Sequence, residues 1–286
     1  RRQRQMCIRD RKQYAPRLLD KVTHKAAGIN DLILGRAELP MPENVTEKNM
    51  RQIRAASKLI RRKQRQYETQ NLQFAEMRED AGLKEYLDRT TFINKDGEVC
   101  EFTDLQKHDL NLVLQKRYAL LNWQQGSGKT AAVYHRAKYL LKFRKAKNVI
   151  ILAPAIATNM TWIPFLTINK ERFRTIQTAG DLNNIPEGTF LVVSTSMLRK
   201  LKRGLMRFVK RTSGKLCLVF DESDEITNPT SQRTRNILCI FRRLRYKILD
   251  TGTTTRNNIA ELYSQFELLY NNSVNMICWS PQVYHE

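Results

Sequence analysis

The chain has 286 residues, of which 41% are hydrophobic and 27% charged, a composition that folds and can bury a core larger than one small domain needs. A formal charge of +22 and a pI near 10.0 give a surface that attracts polyanions, nucleic acid foremost and acidic membranes or assemblies second. Cys7, Cys100, Cys217, Cys239 and Cys278 form no C-x-x-C pair and the four histidines stand at no metal-ligand spacing, which argues against a disulfide scaffold or a zinc site. No apolar run approaches the roughly 20 residues of a membrane span, so the expected compartment is the cytoplasm of a prokaryote or phage, or a nucleus.

Residues 1–12 are basic and aperiodic, include Met6-Cys7-Ile8-Arg9-Asp10-Arg11, and are set apart as an artefact or a disordered tail. Residues 13–98 read as a basic helical arm. Within it Asn44-Val45-Thr46-Glu47 has the form of a helix cap with a glutamate three residues on, and the helix it opens carries Arg61, Arg62, Lys63 and Arg65 towards an Ala81-Gly82 break. That basic run is a solvated helix face before it is a DNA contact. The polar turn Asn94-Lys95-Asp96-Gly97 then separates the arm from residues 99–286.

Beyond the turn, short apolar runs alternate with helical stretches, the pattern of a parallel sheet covered on both faces. The predicted strands are Tyr118–Trp123, Asn148–Ala153, Arg174–Thr178, Phe190–Thr195, Leu216–Phe220 and Lys247–Asp250. In such sheets ligands bind at the carboxyl ends of the strands, and the residues with chemical potential follow those ends.

After the first strand comes Gln125-Gly126-Ser127-Gly128-Lys129-Thr130, then a helical stretch from Ala131 to Leu141. Glycines let backbone N–H groups approach phosphates, and a helix N-terminus adds a positive dipole. In that arrangement Gly126, Ser127 and Gly128 cradle ATP, Lys129 neutralises its β and γ phosphates, and Thr130 ligates Mg2+. The strict loop pattern has glycine where Trp123 stands. The strand Leu216–Phe220 runs into Asp221-Glu222: one carboxylate to hold magnesium and one to orient and deprotonate the attacking water. An acidic pair alone is more often a helix cap; paired with the Lys129 loop it points to metal-assisted phosphoryl chemistry.

Asp221-Glu222-Ser223-Asp224-Glu225-Ile226-Thr227-Asn228-Pro229-Thr230-Ser231 resembles motif II of the SNF2 family of DNA-dependent ATPases, within the superfamily 2 helicases. Ser223, Asp224 and Thr227 depart from that family's Ala, His and Lys, while Asn228 and Ser231 match. Phe102–Lys107 resembles the family's entry segment, with Gln106 at the adenine. Asn148–Pro154, with Trp162 eight residues on, resembles motif Ia, and Leu191–Leu198 resembles motif Ib, whose Ser194 and Thr195 would meet a DNA phosphate. Asp250-Thr251-Gly252-Thr253 with Asn257 and Glu261-Leu262-Tyr263 resembles motif III, which links nucleotide state to DNA grip, although the family's proline is Thr254 here. Trp162, Met197 and Tyr263 equally fit plain core packing, and Ser194 and Thr195 a helix cap.

The resemblance, over roughly 170 residues, implies a RecA-like P-loop NTPase domain preceded by the helical arm, with ATP and Mg2+ as ligands and double-stranded DNA as partner. It implies coupling roles for Pro154, Asn228, Ser231, Thr251, Gly252, Thr253 and Asn257. It also implies a second RecA-like domain, absent from this chain, that supplies an arginine to the γ-phosphate; without it ATP should bind but turn over slowly. The alternatives are an RNA or single-strand helicase of another superfamily 2 branch, a non-hydrolysing nucleic-acid-binding module, and a motor subunit of a restriction or phage-defence complex.

Overall fold

The computed structural model describes residues 77–212, 215–252 and 261–270, with single positions between 47 and 65. The chain divides into two units, Arg1–Met77 with Asn272–Glu286, and Arg78–Asn271. Of the first, the described positions from Glu47 to Arg65 are helical, with an exposed Arg51–Glu47 ion pair at 2.7 Å. The predicted cap at Asn44–Thr46 and residues 1–12 lie outside the described residues.

The second unit opens with α1 (Ala81–Asp88), capped by Asp80, whose carboxylate accepts from Leu83 N at 2.8 Å. The expected break at Ala81-Gly82 is therefore a helix start. Strands β1 (Thr91–Ile93) and β2 (Val99–Glu101) follow and pair antiparallel. The expected separating turn, Asn94–Gly97, is the tip of this hairpin. Asn94 Oδ1 accepts from the N–H groups of Asp96 and Glu98, and Gly97 takes φ +83°, a conformation that favours glycine. Asn169 clasps Ile93 through both its N–H and its C=O, at 2.9 and 3.0 Å, so the hairpin belongs to this unit.

Next come α2 (Asp104–Leu114), β3 (Tyr118–Asn122), α3 (Lys129–Lys142) and β4 (Asn148–Ala153). A short turn (Ala155–Ala157) and a π-helical turn (Thr158–Trp162) lead into α4 (Ile163–Ile168). Then follow β5 (Phe173–Thr175), β6 (Phe190–Ser194), α5 (Leu198–Thr212), β7 (Leu216–Phe220), α6 (Gln232–Phe241), β8 (Tyr246–Thr251) and α7 (Leu262–Tyr270). All six predicted strands form, and they make one parallel sheet in the order β3-β8-β7-β4-β6-β5. This is the expected α/β architecture.

Burial on both faces explains why the central strands are largely apolar. Val149, Ile151, Val192, Val219 and Ile248 face one layer with α3 and Trp162, whereas Ile150, Leu152, Val193, Leu218 and Leu249 face the other with α5, α6 and α7. The strands run parallel, so their C-termini open on one edge of the sheet. Arg136, buried in α3, holds that helix to the sheet by donating to the carbonyls of Lys116 and Arg117 at 2.9 and 2.8 Å. Buried Lys247 ties β8 to its covering helices by donating to Arg242 O and Leu268 O.

His135 of α3 lies 7% exposed among the rings of Phe92, Phe102 and Tyr134, and its Nε2 has no hydrogen-bond partner among the described residues. Burial, with Lys138 nearby, pushes its pKa down to about 4. The unfolded chain therefore binds a proton first, so the stability this neutral ring contributes is complete above about 6.5 and is lost as pH falls towards 4. Urea unfolding across that window should show His135→Phe losing up to about 3 kcal/mol less than the parent; parallel curves would contradict the assignment.

Candidate functional site

The loop between β3 and α3 bends through two glycines, Gly126 and Gly128, both at φ +81°, where an L side chain is strained. A Cβ on Gly128 would also come within 3.2 Å of Gln106 Nε2. Ser127 Oγ closes the loop by donating to Gln124 O at 2.6 Å. Helices α1, α2 and α6 start on side-chain caps from Asp80, Thr103 and Ser231, but α3 starts on Gly128 and has no side-chain cap. The first-turn N–H groups of this 14-residue helix thus carry its positive end with no side-chain acceptor. Lys129 Nζ lies back along the loop, donating to Trp123 O at 3.1 Å and Gln124 O at 3.0 Å.

Gln106 braces this loop from α2. Its Oε1 accepts from Thr103 N at 2.8 Å in a reciprocal capping box, and its Nε2 donates to Ser127 O at 2.9 Å. One amide N–H and one oxygen lone pair remain for a further partner.

Asp221 stands just past β7, with its N–H donating to Leu152 O at 2.9 Å. Trp162 Nε1 donates to its Oδ2 at 2.7 Å, and both side chains are buried. The π-helical turn that ends at Trp162 brings the indole to that carboxylate. Burial raises the Asp221 pKa, opposed by the Trp162 hydrogen bond and the charge of Lys129. Glu222 follows at φ 52° and ψ 54°, left-handed backbone that costs an L-residue about 1–2 kcal/mol and turns the chain sharply off the strand.

The Lys129 loop and the acidic pair do not come from adjacent strands. β8 lies between β3 and β7, and the pairing of Phe220 with Leu249 puts Asp250 abreast of Asp221. Asp250 is fully buried, and neither carboxylate oxygen has a hydrogen-bond partner among the described residues. Burial, then the charges of Asp221 and Glu222, hold its pKa well above the ordinary carboxylate value against the pull of Lys129. Beyond β8, the position a Cβ would take on Gly252 is 3.6 Å from Lys129 Nζ and 3.9 Å from Gln125 N. These are ordinary van der Waals distances, so the β8 end lies directly beside the loop and its lysine. Asp250 and Trp162 entered the sequence reading only within the stretches resembling motifs III and Ia; their place beside Asp221 was not legible, because only strand order and the π turn bring them there.

Of the other predicted residues, Pro154, Ser194 and Thr195 follow strand ends on the same edge of the sheet. Pro154 follows β4, and Ser194, whose Cα pairs with Ala153, ends β6. Ser194 caps the 3-10 turn Thr195–Met197 and shares a 2.8 Å hydrogen bond with Ser196 Oγ, while Thr195 is buried. Asn228 Oδ1 accepts from Thr230 N and Oγ1, and Ser231 caps α6 through Thr234 N at 3.1 Å. Thr251 ends β8, buried. Thr253 and Asn257 lie outside the described residues.

The family model described as type III restriction enzyme, res subunit, matches residues 51–256. The chain belongs to this family. Over 175 residues, 57% of this Res-subunit family member is 27% identical to the ATP-dependent helicase FUN30 of Saccharomyces cerevisiae, whose length it covers by 15%. The Sulfolobus solfataricus SWI2/SNF2 ATPase core in complex with dsDNA superposes with a TM-score of 0.54 at 17% identity, over 65% of this chain and 38% of that one. The Sulfolobus solfataricus SWI2/SNF2 ATPase core domain gives 0.49 at 18% identity, over 65% of this chain and 37% of that one. The chain thus spans well under half the length of these relatives. The fold is that of a RecA-like helicase domain, and the SNF2 likeness drawn from the motifs stands.

Removing the indole donor isolates what Trp162 does for the carboxylate. Trp162→Phe keeps an aromatic ring in the layer but leaves buried Asp221 without that hydrogen bond, and a bond to a charged group is worth about 1.5–3 kcal/mol. Chemical denaturation should show a loss in that range, and the loss should shrink when Asp221→Asn is added; full additivity of the two would contradict the pairing.

Proposed function

We propose that this chain is the nucleotide-binding motor domain of an ATP-driven nucleic-acid translocase, acting on duplex DNA. The observation that carries the reading is the meeting of the uncapped N-terminus of α3 and Lys129 with the buried carboxylates Asp221 and Asp250 across Gly252. A triphosphate fits the cationic half and a divalent cation the acidic half. The described residues contain no group of three or more His, Cys, Asp or Glu able to hold a metal alone. That suits magnesium, which takes one or two protein carboxylates and completes its shell with phosphate and water.

In this proposal the backbone of Gly126, Ser127 and Gly128 receives the phosphates, Lys129 leaves its loop carbonyls to neutralise the β and γ charges, and Gln106 meets the base. Thr130 and Asp221 would hold magnesium, with Trp162 fixing the carboxylate's orientation. Magnesium, when bound, supplies charge neutralisation at the phosphates. Glu222 would orient the attacking water and take its proton. Pro154, Ser194 and Thr195, one to three strands away on the same edge, would meet the nucleic-acid backbone. Asn228, Ser231, Thr251, Gly252, Thr253 and Asn257 would pass the nucleotide state to it; of these, Asn228 and Ser231 act through the turn and cap they build.

The SWI2/SNF2 core's complex with dsDNA supports duplex DNA as the partner, and the Res-subunit family description supports a second setting, a motor within a restriction complex. Both use the same chemistry. Binding reads the phosphate loop directly and is the cleaner readout. Equilibrium binding with magnesium should show Lys129→Ala weakening ATP at least about tenfold, or about 1.4 kcal/mol, and Glu222→Gln binding as the parent does but turning over at least about 100-fold more slowly. Duplex DNA should raise ATP affinity more than single strands or RNA do, since coupling is reciprocal. Unchanged binding by Lys129→Ala would end the nucleotide reading, and coupling to RNA alone would end the duplex reading.

A further inference from the structure

Helix α5 is charged on one side to a degree that the fold does not require. Its 15 residues include Arg199, Lys200, Lys202, Arg203, Arg207, Lys210 and Arg211 and no acid. At 3.6 residues per turn, Arg199, Lys200, Arg203, Arg207 and Lys210 fall within about a third of the circumference, and all five are exposed. Leu198, Leu201, Leu205 and Phe208 take the opposite side and enter the core. Lys202 and Arg211, at the margins, are engaged with Asn236 Oδ1 and Leu182 O.

Some other basic side chains of the same unit are paired: Arg89 with Glu85, Lys107 with Asp88, Lys138 with Glu171 and Arg233 with Glu225. None of the five on α5 forms an ion pair among the described residues. Like charges three and four residues apart oppose helix formation, and here Arg199–Arg203, Arg203–Arg207, Lys200–Arg203 and Arg207–Lys210 all do so. The core needs only the apolar side of the helix, so the cationic side is explained by a polyanion laid along it.

We infer that the solvent face of α5 is a second backbone-binding surface for duplex DNA, beyond the strand-end residues and resting on the nucleic-acid reading above. Arg199 to Lys210 span about 17 Å at 1.5 Å per residue, a length over which a duplex presents about ten phosphates. The exposed face offers cations and, in Met206, a single apolar side chain. A protein partner would call for an apolar or aromatic centre, whereas phosphates need only the charges. The contact is independent of base sequence, and it adds to the grip of the motor without touching the nucleotide.

The test compares the parent chain with Arg199→Gln/Arg203→Gln/Arg207→Gln and with a control of equal charge change elsewhere, Lys84→Gln/Lys95→Gln/Lys170→Gln, in duplex binding against salt concentration. The α5 variant should lower the slope of log affinity against log salt by about 2.7, at about 0.9 per lost phosphate contact. The control should leave the slope near the parent's, and ATP binding should be unchanged in both. If the triple variant fails to fold, Arg203→Gln alone should lower the slope by about 0.9. Equal slopes for the parent and the α5 variant would overturn the inference, as would unchanged DNA binding with loss of binding to poly-glutamate. A parent chain that bound ATP but no duplex would overturn both this inference and the nucleic-acid reading, while failure of ATP binding alone would leave the α5 result standing.

Discussion

Two carboxylates buried side by side at one end of a parallel sheet, with a single lysine facing them, form the constraint on which the rest of this structure turns. Removing a carboxylate from water is costly unless a hydrogen bond or an opposite charge compensates. Asp221 has the Trp162 indole and Lys129; Asp250 has no hydrogen-bond partner among the described residues and sits against two other acids. Burial holds both above the ordinary carboxylate range. Any cation that enters between Lys129 and these strand ends lowers the energy of the cluster, which is the electrostatic basis for proposing magnesium there.

The fold delivers this edge through parallel strands that are buried on both faces, so that their register is fixed by packing and their carboxyl ends coincide. Arg136 pins the helix behind the loop, Gln106 braces the loop from the other side, and the β8 end at Gly252 lies beside it. Lys129 is the long, rotatable group within the loop.

Much of this could be read from the sequence because the determining patterns are local. Short apolar runs between helical stretches marked the strands, and glycine spacing before Lys129-Thr130 marked the loop and the helix start. What could not be read is lateral. Nothing in Tyr246–Thr251 says that it inserts between β3 and β7, so the place of Asp250 beside Asp221 could not be read. Trp162 has the composition of a core residue, and its polar N–H becomes informative only once the π-helical turn points it at Asp221. The hairpin was taken for a separator because three-residue strands are too short to show alternation. Asn228 and Ser231 match a family pattern, yet their visible work is to shape the entry to α6.

Charge is organised on a second scale. The net charge of +22 announced a polyanion partner without locating it, and helix α5 supplies a candidate location because its cations are clustered and outside any described ion pair. The nucleotide edge and the α5 face answer to separate forces, one short-range and buried, the other long-range and screened by salt. Crystallising the chain with manganese and a non-hydrolysable ATP analogue tests the central claim most directly. Anomalous manganese density bridging Thr130 Oγ1, the Asp221 side and the phosphates is the expected result; manganese and triphosphate lying away from the ends of β3, β8 and β7 would contradict it.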